Sequence, residues 1–116
     1  MELEKTVRMN ILFSFYKELL TDKQAQYMAD YYEEDYTLAE IAENYGVSRQ
    51  AIYDSIKRTE ESLKDYEKKL KLVSEFEERK KVLEQIRDYF DHHYSSDQEL
   101  YTMLNQIIQD TKREEN

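Results

Sequence analysis

The sequence contains no cysteine, no proline and no tryptophan, and it has a single glycine. Without cysteine, disulfides, a thiolate nucleophile and cysteine-ligated zinc are all excluded, and the chain suits a reducing compartment. Without proline and with one glycine, the tight β-turns that join neighbouring strands have almost no residues to form them. There is also no run of about 18 apolar residues, so we expect a cytoplasmic protein with no membrane-spanning helix.

The residues that are abundant favour helices. Glutamate, lysine, glutamine, leucine and alanine are all good helix formers. Charged residues make up 37% of the 116-residue chain and hydrophobic residues 40%. Because the hydrophobic residues recur at helical intervals, they indicate amphipathic helices with solvated faces rather than disorder. We therefore predict an all-α fold of about five or six helices.

Local patterns mark where the first helices begin. The segments Thr21 to Gln24 and Thr37 to Glu40 both match the capping box, in which a threonine hydroxyl and a side chain three residues later satisfy exposed N–H groups. These boxes predict the starts of a second and a third helix. A first helix precedes them, and its apolar residues fall three or four apart on one predicted buried stripe: Val7, Ile11, Leu12, Phe15, Tyr16 and Leu19.

Later helix boundaries are less sharply marked. Ser48 can cap a fourth helix, and no helix-breaking residue follows before about Ser74. The segment from Ser74 to Glu77 also matches a capping box, but without glycine or proline beside it the helix can equally continue, so both interpretations stay open. Ser96 with Glu99 predicts the cap of a last helix.

The single glycine lies within a helix-turn-helix spacing that runs from Leu38 to Ile56. Gly46 tolerates the left-handed backbone of a turn between two helices, and the small Ala42 lets those helices cross closely. Val47 is predicted to fill a position in the core. The residues expected to hold the two helices together are Leu38 and Ile41 in the first and Ile52 and Ile56 in the second.

The helix after the glycine carries polar side chains near its start, where a recognition helix reaches base edges in the major groove. Arg49 can pair with guanine and Gln50 with adenine, each through two hydrogen bonds, while Ser48 and the helix N-terminus can meet a phosphate. Lys57 and Arg58 can add contacts to the DNA backbone. An exposed Arg-Gln pair is also an ordinary solvated face, and this geometry serves protein contacts as well.

The charge balance of the chain disfavours tight binding to nucleic acid. The chain has a net charge of -9, and residues 22–47 hold one basic and seven acidic side chains. Residues 48–73, with seven basic and five acidic side chains, are the one net-positive segment. Because phosphate contacts depend on clustered lysine and arginine, we expect DNA binding that is weak, steeply salt-sensitive or dependent on a partner.

The motif resembles known proteins. Residues 20–63 resemble region 4 of bacterial sigma factors, a domain that reads promoter DNA. Nearly the whole chain is similar to the YlxM family, small bacterial helix-turn-helix proteins encoded beside the signal recognition particle protein and its receptor; TLAEIAENYGVSRQAIYDSIKR is the most specific stretch. The resemblance implies a DNA-binding regulatory protein, with a link to the signal recognition particle pathway that rests on gene neighbourhood. In the other interpretation the acidic helices bind the particle protein or its RNA, and DNA is not bound.

The resemblance also carries site residues over from sigma-type domains. One departure is Ser55, where the pattern has an aliphatic residue facing the core and where Ile56, one place later, takes that role. The rotation of the recognition helix is therefore open, and with it which of Tyr53, Asp54 and Lys57 point outward. The positions that touch DNA in sigma-type domains are occupied here by Thr37, Ser48, Arg49, Gln50, Tyr53 and Lys57.

We divide the chain into a helix-turn-helix domain at 1–73 and a C-terminal helical extension at 74–116. The extension has a broad apolar face that a small helical domain would not cover, which predicts a homodimer. Two copies would also bring two recognition helices to paired half-sites. The predicted face consists of Ile86, Phe90, Leu100, Leu104, Ile107 and Ile108.

No arrangement in the sequence points to an enzyme, a metal site or a cofactor. His92 and His93 are adjacent, so on a helix their side chains point about 100° apart and do not converge on one ion. Glu60 and Glu61 are spaced to pair with Lys64, as on a solvated helix face. We therefore expect a binding protein.

Tyrosine is unusually frequent. The chain has 11 tyrosines, and six of them lie between Tyr27 and Tyr53. Exposed tyrosines could form a stacking platform for single-stranded RNA. Their helical spacing favours core packing with the hydroxyl at the surface.

Overall fold

The computed structural model of the protein describes residues 2–93 and 96–113. Every regular element in these residues is helical, so the predicted all-α fold is confirmed. None of the described helices combines the length and the apolar character that a membrane crossing requires. The chain divides into two compact units, Met1–Lys71 and Leu72–Asn116. The helices are α1 (Glu2–Tyr16), α2 (Asp22–Met28), α3 (Leu38–Tyr45), α4 (Arg49–Leu70), α5 (Leu72–His93) and α6 (Gln98–Arg113).

The buried face of α1 differs from the predicted stripe. Leu12 and Tyr16 are buried as predicted, but Val7 is 51% exposed, and Leu19, just beyond the helix, is 52% exposed. The helical spacing of apolar residues predicts that α1 is amphipathic. Two overlapping sets of apolar residues fit that spacing, however. Packing of α1 against α4 and against the π-helical turn Ala29–Glu33 selects the other stripe. Its buried residues are Met9, Leu12, Phe13 and Tyr16.

Both predicted capping boxes are present. At the start of α2, the Thr21 hydroxyl accepts from the Gln24 N–H at 3.2 Å, and the Gln24 side chain accepts from the Thr21 N–H at 3.0 Å. At the start of α3, Thr37 and Glu40 make the same two bonds, each at 3.1 Å. Because these boxes satisfy N–H groups that have no partner within the helix, they fix where α2 and α3 begin.

The turn between α3 and α4 has the predicted geometry. Gly46 is left-handed, with φ of 65° and ψ of 35°. The Val47 N–H donates to the Ala42 carbonyl at 3.1 Å, which closes the turn. Ser48 then caps α4, because its hydroxyl accepts from the Ala51 N–H at 3.0 Å. The predicted turn and the Ser48 cap are confirmed.

The core of the first unit forms where α1, α2 and α3 pack on α4. Ile41 of α3 and Ile52 of α4 are fully buried. The predicted core position of Val47 is wrong, because this side chain is 37% exposed. Val47 instead lines a groove, together with Ala51.

The long α4 ends before Ser74. Lys71 follows its last residue in a left-handed conformation, with φ of 57°, and its N–H donates to the Glu67 carbonyl at 2.9 Å. The next helix, α5, begins at once with Leu72 and runs through Ser74. The open question of a break or one continuous helix is thus answered by a break at Lys71, which the sequence did not mark because no glycine stands there.

In the second unit, α5 and α6 pack on each other. Phe90 and Ile108 are buried, and the rings of Phe90 and Tyr101 lie 5.8 Å apart. The predicted Ser96 cap is wrong: the carboxylate of Asp97 accepts from the Leu100 N–H at 3.0 Å. Serine and aspartate can both cap a helix. Which of them reaches the exposed N–H groups depends on the residue at which the helix begins. The stretch DHHYSSD, residues 91–97, also predicts a turn; its first three residues belong to α5, and Tyr94 and Ser95 lie outside the described residues.

Candidate nucleic-acid interface

The start of α4 is exposed within the helix-turn-helix. The Gly46 turn and the Ser48 cap fix where α4 begins, and the buried Ile52 and Ile56 fix its rotation. Ser55 is half-buried on the flank of the helix, so Ile56 takes the core position that the sequence left open. Tyr53 and Asp54 are both exposed, and Lys57 is half-buried.

The threonine and serine predicted to meet phosphate lie at the starts of helices. Thr37 and Ser48 are exposed, and each hydroxyl accepts a hydrogen bond from its own helix, from the N–H of Glu40 and Ala51 respectively. A hydroxyl that accepts one bond still has its O–H to donate. Both side chains can therefore donate to an anion without giving up the cap.

The basic residues of α4 lie on two different flanks. Arg49 lines a groove of about 430 Å³ together with Thr37 and residues of α1 and of the segment before α3. Arg58 lines a second groove, of about 350 Å³, together with Lys23 of α2. Arg49 and Arg58 are thus not brought together in one patch. The first groove is lined by Thr6, Tyr31, Tyr32, Asp35, Tyr36, Thr37, Leu38 and Arg49, and the second by Lys23, Tyr27, Val47, Ala51, Asp54, Ser55 and Arg58.

Lys23 is a candidate interface residue, because it lines the same groove as Arg58, and sequence analysis missed it. It is exposed near the start of α2, and its ammonium lies 6.0 Å from the centre of the Tyr27 ring. No motif on α4 could have pointed to it, because it comes from another helix. The one signal in the sequence was that Lys23 is the single basic residue in the acidic segment 22–47.

A charge cluster forms around the buried carboxylate of Glu60, beside the candidate interface. Glu60 is only 3% exposed, and its carboxylate accepts a hydrogen bond from the Tyr32 hydroxyl. The ammonium groups of Lys57 and Lys5 lie 3.5 Å and 3.9 Å from the same carboxylate. Burial, and then the hydrogen bond to Glu60, raise the pKa of Tyr32 well above its usual range.

The predicted pairing of Glu60 with Lys64 is therefore wrong. Lys64 pairs with Glu61, with 3.3 Å between the ammonium and the carboxylate, and both side chains are exposed. Glu60, one residue earlier, lies toward α1 and the π-helical turn, and its partners Lys5 and Tyr32 come from those elements. One step along a helix turns a side chain by about 100°, enough to move it from solvent to the core.

Tyrosine hydroxyls bind carboxylates at two further places in the first unit. Tyr16 is fully buried and donates to Glu67 at 2.6 Å. Tyr45 donates to the buried Asp30 at 3.0 Å, and burial followed by this hydrogen bond raises the pKa of Tyr45. Its ring also meets the Tyr27 ring edge to face, with centroids 4.9 Å apart. These tyrosines pack in or beside the core, and their hydroxyls donate to acidic residues.

Both histidines of the adjacent pair lie within hydrogen-bond distance of the backbone of their own helix. The Nδ1 atom of His92 lies 2.7 Å from the Asp88 carbonyl oxygen, and that of His93 lies 2.9 Å from the Tyr89 carbonyl oxygen. Over residues 2–93 and 96–113, no group of three potential metal ligands comes together. The two rings act as hydrogen-bond partners of α5.

A short helix, a left-handed glycine turn and a capped longer helix with an exposed start define a helix-turn-helix protein. Comparison with known families agrees: residues 3–107 match the family described as "Putative helix-turn-helix protein, YlxM / p13 like", UPF0122. The chain belongs to this family. The family and the all-helical fold point to a protein that is not an enzyme.

Curated relatives match over almost their whole length. The UPF0122 protein YofM of Lactococcus lactis subsp. lactis is 54% identical over 109 residues, which are 94% of this chain and 95% of the relative. A UPF0122 protein of Limosilactobacillus fermentum is 54% identical over 104 residues, 90% and 92% of the two chains. One from Geobacillus kaustophilus is 51% identical over 105 residues, 90% and 96% of the two chains.

Proposed function

We propose that the protein is a DNA-binding regulator whose helix α4 enters the major groove. The observation that carries this proposal is the exposed start of α4, where Arg49, Gln50 and Tyr53 follow the Gly46 turn and the Ser48 cap. B-form DNA has a major groove wide enough for one α-helix, and arginine and glutamine form two-bond contacts with guanine and adenine. A rigid cap and turn support such contacts because they fix the position of these side chains.

The two flanks of α4 fit the two phosphate backbones that border a major groove. Arg49 with Thr37 would contact one strand, and Arg58 with Lys23 the other. Few cations are available for this, and the chain as a whole is acidic. We therefore expect micromolar or weaker binding to random duplex, with a steep dependence on salt.

A homodimer formed through the second unit would raise this affinity. Phe90 and Ile108, two residues of the predicted face, are buried within the unit, whereas Ile86 and Ile107 are nearly half exposed. An apolar groove of about 610 Å³ lies on this unit, lined in part by Val82, Leu83 and Ile107. A unit of two helices leaves part of its apolar surface exposed. Two copies would cover more of that surface by packing together as four helices, which supports self-association.

A second candidate function is a protein-interaction module that binds the signal recognition particle protein or its RNA. Its support is the set of exposed carboxylates in the first unit, which would attract a basic protein. The same carboxylates disfavour RNA, so the protein is the better candidate of the two. Those in the acidic segment 22–47 are Asp22, Glu33, Glu34, Asp35, Glu40 and Glu43.

One titration series distinguishes these functions. Labelled random duplex DNA, particle RNA and labelled particle protein are each titrated with the chain at low and at physiological salt, and fluorescence anisotropy reports binding. Duplex binding that falls at least tenfold in the double variant Arg49→Ala with Gln50→Ala supports the first function. Lys68→Ala, an exposed cation in the last turn of α4, is the control for a lost charge.

The contrary results are equally clear. Duplex binding that is unchanged in the Arg49→Ala, Gln50→Ala variant would show that α4 does not read the groove. Binding of the particle protein alone would replace the first function by the second.

A further inference from the structure

Glu60 is the most deeply buried carboxylate among the residues that the structure describes. Its Oε1 atom lies 3.5 Å from the ammonium of Lys57 and 3.9 Å from that of Lys5, and its Oε2 atom accepts from the Tyr32 hydroxyl. These partners come from α4, α1 and the π-helical turn. Three separate elements therefore supply the partners of this buried carboxylate.

Lys57 is held on both sides. Its ammonium lies against Glu60, three residues further along α4, and also 5.5 Å from the centre of the Tyr53 ring. The exposed pairs of the same helix, Lys64 with Glu61 and Lys69 with Asp65, can exchange their partners for water at little cost. Lys57 cannot leave Glu60 so easily, since its departure would leave a buried carboxylate with one cation fewer.

We propose that Glu60 neutralises Lys57 and thereby limits the affinity of α4 for duplex DNA. The inference rests on the proposed DNA-binding function and concerns the strength of that binding. A phosphate would compete with Glu60 for the same ammonium, and the Glu60 side chain, at 4% exposed, has little access to water that could take the place of the lysine. Of these two adjacent cations, Arg58 is then the one that contacts phosphate, and Lys57 contributes little.

The test compares how duplex binding depends on salt in a set of variants of the full chain. The slope of log affinity against log salt concentration changes by about 0.9 for each DNA phosphate that a cation of the protein neutralises. Glu60→Gln removes the charge and keeps an oxygen that accepts from Tyr32. Glu61→Gln is the matched control, because it makes the same charge change at the adjacent, exposed residue. The probe is a random duplex, measured by fluorescence anisotropy.

We expect Glu60→Gln to bind the duplex threefold to tenfold more tightly at low salt, with a salt slope steeper by about 0.9. Glu61→Gln should change the affinity less than twofold. The increase should vanish when Lys57→Ala is added to Glu60→Gln, since the released cation is then absent. In the otherwise unchanged chain, Lys57→Ala should leave the slope nearly unaltered, whereas Arg58→Ala should make it shallower by about 0.9.

If Glu60→Gln fails to fold, the comparison of Lys57→Ala with Arg58→Ala still tests whether Glu60 neutralises Lys57. Equal losses of affinity in these two variants would overturn the inference while leaving DNA binding intact, and so would equal increases in Glu60→Gln and Glu61→Gln. Binding by neither the wild-type chain nor a folded Glu60→Gln variant would overturn the proposed function itself. Circular dichroism establishes which variants are folded.

Discussion

The side-chain amide of Gln50 donates a hydrogen bond to the carboxylate of Asp54, with 2.9 Å between nitrogen and oxygen, on the exposed side of α4. The bond uses one amide N–H of Gln50 and orients its carbonyl oxygen. The pair therefore offers mainly acceptors at the start of the helix. In the major groove, acceptors match the exocyclic amino groups of cytosine and adenine and oppose the O6 and N7 atoms of guanine.

Asp54→Asn is expected to strengthen duplex binding and weaken its base preference. The change removes a negative charge from the centre of the exposed face and replaces the charge-assisted bond to Gln50 by a weaker neutral one, so the affinity for random duplex should rise roughly threefold to tenfold at low salt. Anisotropy titrations with a panel of duplexes measure both effects. Asp65→Asn, an exposed residue further along α4, controls for the lost charge. Equal increases in the two variants would contradict a specific role for Asp54.

Gly46→Ala is expected to destabilise the first unit by about 1–2 kcal/mol through the backbone alone. The glycine has φ of 65°, yet an added Cβ would meet no atom within 4 Å, so no clash contributes. Chemical denaturation followed by circular dichroism measures the loss. Gly46→Asn should cost less, because asparagine tolerates the left-handed region better. A loss of equal size in both variants would mean that backbone conformation is not the cause.

Sequence reasoning succeeded where the deciding contacts are local. The bonds between Thr37 and Glu40 and between Ser48 and Ala51 span three residues, and the Gly46 turn spans a few more. Such features depend on residue type and spacing, both of which are printed in the sequence. The helix-turn-helix and the start of α4 were predictable for this reason.

Sequence reasoning failed where contacts between residues far apart in the chain determine the structure. Glu60 has the right spacing for a solvated pair with Lys64, but its partners Tyr32 and Lys5 lie 28 and 55 residues earlier in the chain. Helical periodicity does not contain that information, because it describes one helix at a time. The separation of Arg49 and Arg58 onto two flanks likewise depends on how α4 packs against its neighbours.

Lys71→Gly is expected to stabilise the protein by about 0.5–1 kcal/mol. Lys71 has φ of 57°, a conformation that glycine adopts without the strain that a Cβ causes. The stabilisation is partly offset by the greater freedom of glycine in the unfolded chain. Thermal unfolding followed by circular dichroism measures the change. Lys71→Ala keeps the Cβ and removes the rest of the side chain, so it should not stabilise the protein; stabilisation by alanine would attribute the effect to the lysine side chain instead.

Tyr32→Phe is expected to cost about 1–2 kcal/mol at neutral pH, because the buried Glu60 loses a hydrogen-bond donor. The pKa of Tyr32 is raised from 10.0, so the folded state keeps this proton at a pH where the unfolded state has lost it. The stabilising contribution is therefore complete below about pH 10 and is lost as the pH rises above that value. Denaturation between pH 7 and about pH 11 should show the wild-type advantage shrinking.

The exposed Tyr36→Phe serves as the control for a lost hydroxyl. It should change stability by less than about 0.5 kcal/mol at either pH. A difference between wild type and Tyr32→Phe that stays constant into the alkaline range would argue against the raised pKa of Tyr32.

Ile107→Lys is expected to weaken self-association at least tenfold if α5 and α6 form the dimer surface. Ile107 is 47% exposed and lines the apolar groove of the second unit, so a second copy would bury it and a lysine there would bring an unpaired charge into the contact. Sedimentation equilibrium measures the dissociation constant. Gln109→Lys adds the same charge at an exposed polar position on α6 and should have little effect. A wild-type chain that sediments as a monomer at micromolar concentration would contradict the dimer, and equal effects of the two lysines would place its surface elsewhere.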